Sequence, residues 1–264
     1  MRYAKVFIIL AAAAAVLTGC GSRGDSGTSE PEKAAVAVTK AEDTGVPSET
    51  ELSADENDPA SMAYWEASEE LIPVTYKGDF EYGGAKCVKM ADVFAIPAEC
   101  PEIGAAGNQF IYVIDEGGIC MRFIANMPAA VAKEHYELDI LDDDYQKKEL
   151  ELVKELDIAH MDELSPDELS RGELDKLVGK TAEELEKEGF TQYGWDISES
   201  DGVVFFDKGF HRYSVQFSEP LTAGRDYDEE GALEGLTVKS IIRTGVSDNI
   251  YDTAPLLEDN SAER

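Results

Sequence analysis

The stretch VVFFDKGFHRYSVQF, residues 203–217, decides the fold class of the chain. Residues 211–217 alternate apolar and polar side chains, which predicts a strand with one dry face and one wet face. Residues 203–206 are apolar and predict the strand before it. Asp207-Lys208-Gly209 joins the two as a three-residue loop, because glycine accepts the positive φ that such a loop needs. The stretch therefore predicts an antiparallel hairpin.

Two further strands and a capped helix surround this hairpin. Residues 193–197 and 236–243 predict the strands on either side of it. Upstream, the sequence Thr181-Ala182-Glu183-Glu184 predicts the start of a helix with a capping box, and Gly189 is placed to end that helix. The last ninety or so residues thus follow a helix-then-sheet order.

The first half of the folded region repeats this order. Apolar residues at helical spacing predict a helix from about Ser61 to Pro73, and paired glycines predict turns at 83–84 and 117–118. The further predicted elements are strands over 74–82, 87–96, 110–114 and 119–124, a helix opened by Pro128, and a helix headed by Asp142-Asp143-Asp144. The fold class is therefore α+β, with antiparallel sheets covered on one face by helices. Residues 61–165 and 166–256 form either one domain or two similar subdomains, followed by a disordered tail over 257–264.

The N-terminus has the pattern of a bacterial lipoprotein signal. Arg2 and Lys5 precede a twelve-residue apolar run, residues 6–17. As a helix this run spans about 18 Å, well short of the ~30 Å hydrocarbon layer, so it predicts a cleaved signal peptide, residues 1–19. Leu17-Thr18-Gly19-Cys20 resembles the lipobox, which implies a covalent diacylglycerol on Cys20 and anchoring to the outer face of the cytoplasmic membrane. An ordinary secretory signal is the alternative.

Residues 20–60 predict an acidic, disordered tether. From residue 21 to 60 there are three basic and ten acidic residues and no aromatic residue. Such a segment cannot bury enough apolar surface to offset its ordering entropy. About forty flexible residues have an r.m.s. reach near 35 Å, so the tether holds the folded region away from the bilayer.

The net charge restricts the partners of the chain. With 23 basic and 55 acidic residues the formal charge is −32. No basic stripe is available to neutralise phosphates, so nucleic acids and anionic lipid surfaces are excluded as electrostatic partners. The cell membrane is then reached only through the lipid on Cys20, because two acyl chains anchor stably without help from charge.

A resemblance covers the last ninety or so residues. The sequence from Leu177 to Phe190, followed by an aromatic-rich hairpin and Leu236-Thr237-Val238-Lys239-Ser240, is similar to the C-terminal region of uncharacterised lipoproteins of Gram-positive bacteria. The helix-then-sheet order also resembles the modules of beta-lactamase inhibitor proteins and of small outer-membrane assembly lipoproteins. Those relatives bind proteins, so the resemblance implies a binding function and not an enzymatic one.

Catalytic motifs are weak in this sequence. Three cysteines remain besides Cys20, namely Cys87, Cys100 and Cys120, so either one disulfide forms or the thiols are small buried residues. The three histidines, His135, His160 and His211, are far apart and predict neither a zinc site nor a Cys–His pair. Gly-x-Ser-x-Gly is absent. A pair of carboxylates could catalyse glycoside hydrolysis, but among 55 acidic residues such pairs arise by chance, so no particular pair is indicated as catalytic.

Two acidic clusters are candidate calcium sites. The first has the spacing of an EF-hand-like loop and supplies Asp226, Asp228, Glu230 and Glu234. Thr237 stands where the bidentate Glu belongs, so a solvated acidic loop is the alternative. The second cluster, at Asp139 and 142–144, is already explained by the helix dipole. No other cofactor is predicted.

An exposed aromatic face is the remaining candidate site, with the alternative that more than half of the aromatic residues on this sheet are core residues. The residues expected to contribute to it are Trp195, Phe205, Phe206 and Tyr213. Phe205 and Phe206 are adjacent in a strand and must point to opposite faces of the sheet. In the last strand, Val238 and Ile242 are expected to point inward.

These observations favour a non-enzymatic, lipid-anchored surface protein that binds an unknown protein or envelope component. An extracytoplasmic carboxylate-based hydrolase is the main alternative, and a calcium-stabilised structural module is the third. An enzyme needs a concave site with convergent polar groups, whereas a binding module needs an exposed apolar patch on a sheet.

Overall fold

Two antiparallel four-stranded sheets form the frame of the computed structural model, which describes residues 55–74, 81–99, 101–197, 202–222, 226, 227, 229 and 231–258. The predicted signal peptide, Cys20, the predicted tether up to residue 54 and residues 259–264 of the predicted tail lie outside the described residues. Residues 257 and 258, also assigned to that tail, belong instead to the last helix, Ala254–Glu258. Among the described residues, no helix has the length and apolar composition that crossing a bilayer requires.

The first half contains one complete sheet with its helices. In chain order its elements are α1 (Met62–Ala67), β1 (Glu81–Tyr82), β2 (Ala85–Lys86), α2 (Met90–Phe94), β3 (Glu102–Ala106), β4 (Gln109–Glu116), β5 (Ile119–Asn126), α3 (Ala129–Tyr136), α4 (Tyr145–Val153) and β6 (Ile158–Glu163). β1 and β2 form a small ladder around Gly83-Gly84, as predicted. The sheet order is β3-β4-β5-β6, each strand pairing antiparallel with the next in the chain.

The second half contains the other sheet. Its elements are a 3-10 helix (Ser165–Asp167), α5 (Arg171–Leu174), a 3-10 helix (Asp175–Leu177), α6 (Ala182–Lys187), β7 (Thr191–Asp196), β8 (Val203–Lys208), β9 (His211–Phe217), β10 (Val238–Val246), a 3-10 helix (Asp248–Tyr251) and α7 (Ala254–Glu258). The sheet order is β10-β9-β8-β7. The α+β fold class is therefore confirmed. The described residues of both sheets belong to one compact unit.

Helix α6 follows from its local capping signals. The Thr181 hydroxyl accepts from the backbone N–H of Glu184 at 3.3 Å, and the Glu184 carboxylate accepts from the backbone N–H of Thr181 at 2.8 Å. Gly189, at φ 88°, lies just beyond the helix. The predicted capping box is confirmed, because every contact that specifies it lies within four residues.

The central hairpin is confirmed, but its loop is shorter than predicted. Lys208 pairs with His211, so the loop consists of Gly209 and Phe210 instead of 207–209. Gly209 takes φ 57°, which only glycine adopts without strain and which matches a two-residue hairpin loop.

The strand predicted over 87–96 is wrong, since this segment contains α2. The Asp92 carboxylate accepts from the backbone N–H groups of Val88 and Lys89, both at 2.8 Å, which starts the helix. Met90 and Val93 are three residues apart and buried together. The prediction missed β3 and β6 because their residues are small or polar. Of the strand predicted over 74–82, residues 75–80 lie outside the described part.

Residues 55–60, which were predicted to belong to the tether, contact α1 instead. The Trp65 indole N–H donates to the Pro59 carbonyl at 2.8 Å, and the Ser61 hydroxyl donates to the Asp55 carbonyl at 2.5 Å. α1 also stops at Ala67 instead of reaching Pro73. Beyond it, the Asn126 side chain holds Ile72 by accepting from its N–H at 3.0 Å and donating to its carbonyl at 2.7 Å.

The first sheet is buried on both faces. On one face Phe110, Tyr112 and Phe123 pack against α2, α3 and α4. On the other face Ile111, Val113 and Ile124 pack against residues that include Leu164, Val246 and Ile250. Because this last cluster takes residues from both halves of the chain, the two sheets share a core.

A buried polar network lies where the two sheets meet. His211 is fully buried; its Nε2 donates to the Leu164 carbonyl at 3.0 Å, and its Nδ1 accepts from Nε of Arg243 at 3.2 Å. Arg243 also donates to Asp115 of β4 at 2.5 Å. These contacts fix a neutral imidazole with its proton on Nε2. Burial and the charge of Arg243 both lower the pKa of His211.

Candidate binding surface on the second sheet

Two of the four predicted surface aromatics are core residues. Phe206 and Tyr213 are each 0% exposed and pack against α5 and α6. They pair across β8 and β9 on the helix-covered face, and the Tyr213 hydroxyl accepts from the backbone N–H of Leu169 at 3.1 Å. The prediction that they are exposed is wrong, because this face of the sheet carries the helices.

Trp195 and Phe205, the other two predicted aromatics, are only partly buried. Trp195 packs against the edge of the same core and meets the buried Tyr227 edge to face, with ring centroids 5.7 Å apart. Phe205 is half-buried and lies on the opposite face from Phe206, as the alternation predicts. Only Phe205 therefore belongs to the side of the sheet that faces away from the helices.

This side is named here the open face. It carries an apolar row, defined as Phe205 of β8 and Ile242 of β10, which lie on either side of Ser214 of β9. Ser214 of β9 pairs with both Phe205 of β8 and Ile242 of β10, so the three side chains share one face. Next to them, the Ser240 hydroxyl donates to Gln216 at 3.0 Å. The open face consists of Phe205, Ser214, Gln216, Ser240 and Ile242. Its small central serine separates two large apolar side chains.

Ile242 was expected to point inward, and this expectation is wrong. It is 61% exposed, whereas Val238 and Ile241 are buried. A register shift between Val238 and Ser240 inserts one residue into the alternation, so the inward positions change from even to odd numbers. No pattern in the strand itself marks such a bulge.

Charged side chains close one end of the open face. Arg212 makes a bidentate pair with Asp207, at 2.8 and 3.0 Å, and a third contact with Asp248 at 3.3 Å. Its guanidinium carbon lies 3.2 Å from the ring centroid of Tyr193. Burial lowers the pKa of Arg212, but the hydrogen bonds and charge of Asp207 outweigh it, so the pKa is raised and the side chain stays charged.

A groove of about 1050 Å³ runs beside β7, the edge strand of this sheet. Tyr193 and Gln192 of β7 form one wall, while Glu183 and Glu186 of α6 form another. Glu229 and residues 231–235, which include Ala232, Leu233 and Glu234, also line the groove. Tyr193 sits at an irregularity between Gln192 and Gly194, where β7 departs from regular pairing with β8.

The first predicted calcium loop is only partly described. Asp228 and Glu230 lie outside the described residues, and Glu234 lines the groove. Within the described ranges, no group of three His, Cys, Asp or Glu side chains is arranged to hold a metal ion. A calcium site at Asp226, Asp228, Glu230 and Glu234 stays a prediction.

The second acidic cluster forms local contacts. Asp142 pairs with Lys148 and accepts from the backbone N–H of Asp144 at 2.9 Å. Its hydrogen bonds from Lys148 and Asp144 lower the pKa of Asp142. α4 begins at Tyr145, with no acid in its first turn and no side-chain cap, so the prediction that these acids form the first turn of the helix is wrong.

The described thiols are buried and unreactive. Cys87 and Cys120 are both free, and Cys100 lies outside the described residues. Burial, together with the charge of Asp115, raises the pKa of Cys120 to about 12, so its thiolate is scarce at neutral pH. The interpretation of these two cysteines as small buried residues fits both positions.

The histidines lie on three separate elements, α3, β6 and β9. His135 contacts Glu149 of α4 at 2.8 Å, and the Tyr145 hydroxyl donates to the same carboxylate oxygen at 3.3 Å. Glu149 is almost fully buried, so this cluster ties α3 to α4 beneath the surface.

The sequence predicted neither the groove nor the exposure of Ile242. It did include Phe205 in the candidate binding face. Glu183 was recognised only as part of a helix start, and Glu186 carried no signal. Both lie on α6 beside an edge strand, a relation that depends on tertiary packing.

Comparison of the chain with protein-family models, curated proteins and solved structures finds no match. The resemblance to lipoproteins and to protein-binding modules stays a prediction.

Proposed function

We propose that the chain is a lipid-anchored, extracytoplasmic binding module whose second sheet engages another protein or an envelope component. The observation that supports this function is the apolar row on the open face. Phe205 and the 61% exposed Ile242 stand on the side of the sheet opposite its helices. A sheet with one packed face and one apolar, accessible face is suited to association.

Burying this row against a partner would supply part of the binding energy, since Ile242 is 61% exposed and Phe205 is half-buried. Fully burying a Phe or Ile side chain contributes about 1.5–3 kcal/mol. Ser214 lies between the two side chains and is itself only 9% exposed, so a partner would contact mainly Phe205 and Ile242. Gln216 and Ser240 add hydrogen-bonding groups, and the Arg212 pair supplies a polar rim. An apolar centre with a polar edge is the usual anatomy of a protein interface.

The extracytoplasmic location rests on the N-terminal sequence. A short apolar run after two cations, and the lipobox-like segment ending at Cys20, support export and lipid attachment. The tether then gives the binding surface a reach of roughly 35 Å from the membrane. No specific observation among the described residues favours the carboxylate-based hydrolase or the calcium-stabilised module.

Capture of a partner by the full-length chain tests the binding face. We expect the double variant Phe205→Ser/Ile242→Ser to lose proteins or polymers that the wild type captures from the producing cell, because the apolar row is removed. Photo-cross-linking from position 242 should give the same adduct in intact cells.

The matched control is Val178→Ser/Ile119→Ser, which removes two other exposed apolar side chains, at 49% and 45% exposure. This control should retain capture. Equal capture by all three chains, or equal loss in both variants, would show that the open face is not the binding surface.

A further inference from the structure

The groove beside β7 is lined by acidic side chains that have no ion-pair partner in the described structure, unlike other acidic residues in the second half of the chain. Its described lining includes four glutamates, Glu183, Glu186, Glu229 and Glu234, and no lysine or arginine. None of the four forms an ion pair within the described part of the chain. Elsewhere in this half, by contrast, Glu188 pairs with Lys180 and Asp207 pairs with Arg212. Among the residues that the structure describes, none supplies a paired countercharge to these four carboxylates.

Helix electrostatics accounts for only one of these carboxylates. Glu183 lies in the first turn of α6, where the helix dipole favours an acid. Glu186 lies in the last turn, where the dipole disfavours it, and Glu229 and Glu234 come from a different segment. A residue that breaks a local rule without a compensating contact is typical of a functional position.

The size and walls of the groove fit an extended polypeptide. Its volume of about 1050 Å³ exceeds what a single ion or small amine fills. β7 forms one side as the edge strand of the sheet, which is the usual place for an extended segment to align. Tyr193 adds aromatic surface to the lining, against which the methylene stems of lysine or arginine pack.

The chain's own N-terminal segment does not suit the groove. Residues 21–60 hold three basic and ten acidic side chains, so like charges oppose their entry. The occupant must come from another molecule.

We propose that this groove binds an extended, lysine- or arginine-containing segment of the partner that the open face engages. The inference rests on the proposed binding function and gives the chemistry of the partner. Tyr193 lines the groove and also stacks with Arg212 at the end of the open face, so one partner can contact both surfaces.

Fluorescence anisotropy with the full-length chain tests this proposal. The probe is a rhodamine-labelled, alternating lysine–alanine peptide of about nine residues, with a glutamate–alanine peptide as the opposite-charge control. We expect binding of the lysine peptide only, and weaker binding as NaCl rises from about 50 to about 300 mM. In Glu183→Gln/Glu186→Gln the affinity should fall roughly tenfold, because two exposed countercharges are lost.

The matched control is Glu66→Gln/Glu134→Gln, which makes the same change in net charge on α1 and α3. It should change the affinity less than about twofold. The proposal is overturned if the groove variant binds as tightly as wild type, or if the control weakens binding equally, since the attraction would then be non-specific. It is also overturned if spermine binds as tightly as the peptide, because the site would then select a small polyamine.

The experiments distinguish failure of the open-face proposal from failure of the groove proposal. Phe205→Ser/Ile242→Ser should leave lysine-peptide binding unchanged, since neither side chain lines the groove. If that variant keeps partner capture while the groove variant loses peptide binding, the open face is wrong and the groove stands. If Phe205→Ser/Ile242→Ser loses partner capture while the groove variant still binds the lysine peptide, the groove proposal is wrong and the open-face proposal stands.

Discussion

At the residue scale, the most constrained side chains are histidines and arginines at the junction of the sheets. His211 uses both ring nitrogens, and its acceptor Nδ1 faces an arginine N–H. A second proton on this ring would place two donors against each other. His160 of β6 is half-buried, and burial lowers its pKa as well.

The stability of the folded chain is therefore expected to fall in mild acid. Both histidines have a folded-state pKa below the ordinary 6.5, so the unfolded chain binds protons first as the pH drops. Their contribution is fully present above about pH 6.5 and decreases below it. Urea unfolding between about pH 7.5 and 5.5 measures this loss.

The matched variant is His211→Gln, whose amide can donate to Leu164 and accept from Arg243 without titrating. Its unfolding free energy should depend less steeply on pH than that of the wild type. Identical pH slopes in the two chains would contradict a role for His211.

At the element scale, the sequence predicts elements whose signals are local. α6 was predicted with its cap because Thr181 and Glu184 are three residues apart and satisfy each other. α2 was missed because Val88, Val93 and Phe94 favour a strand, while the Asp92 carboxylate bonds that start the helix are not visible in the apolar pattern. The orientation of Ile242 was missed because a bulge depends on the partner strand.

The contact between β3 and the last 3-10 helix leads to a test. A Cβ atom on Gly104 would lie 2.6 Å from the Tyr251 ring, whose hydroxyl donates to the Ile103 carbonyl at 3.3 Å. We expect Gly104→Ala to destabilise the fold by about 1–3 kcal/mol, because the ring must move out of its site. Chemical denaturation measures the change.

A suitable control is Gly245→Ala, since a Cβ there meets no atom within 4 Å. It should alter the unfolding free energy much less than the change at Gly104. If both glycines tolerate alanine equally, the packing of Tyr251 against β3 is not specific.

At the scale of the whole molecule, the excess of acid has more than one role. The charge of −32 disfavours electrostatic adhesion to an anionic membrane, so the membrane attachment that we propose would depend on the lipid at Cys20. The sequence predicted the fold class and this charge distribution. It did not predict the groove, because two of the described carboxylates that line it come from α6 and two, Glu229 and Glu234, from a later segment, and only the tertiary fold brings them together.

Cell fractionation tests the lipid anchor. Cys20→Ala should move the chain from the membrane to the soluble fraction or leave its precursor unprocessed, because the acylated sulfur is removed. Ser22→Ala, two residues further on, should stay in the membrane as a mature lipoprotein. Mature Cys20→Ala that remains in the membrane would exclude attachment through this cysteine.

The unequal burial of the two sheets determines how much each tolerates substitution. Six consecutive residues of β4, from Gln109 to Ile114, are buried, so packing from both sides constrains each of them. On the open face, changes at Phe205 or Ile242 meet no such constraint, and surface substitutions of this kind usually cost less than about 0.5 kcal/mol. If the open face binds a partner as we propose, substitutions there can alter binding at little cost in stability, whereas substitutions in β4 destabilise the fold.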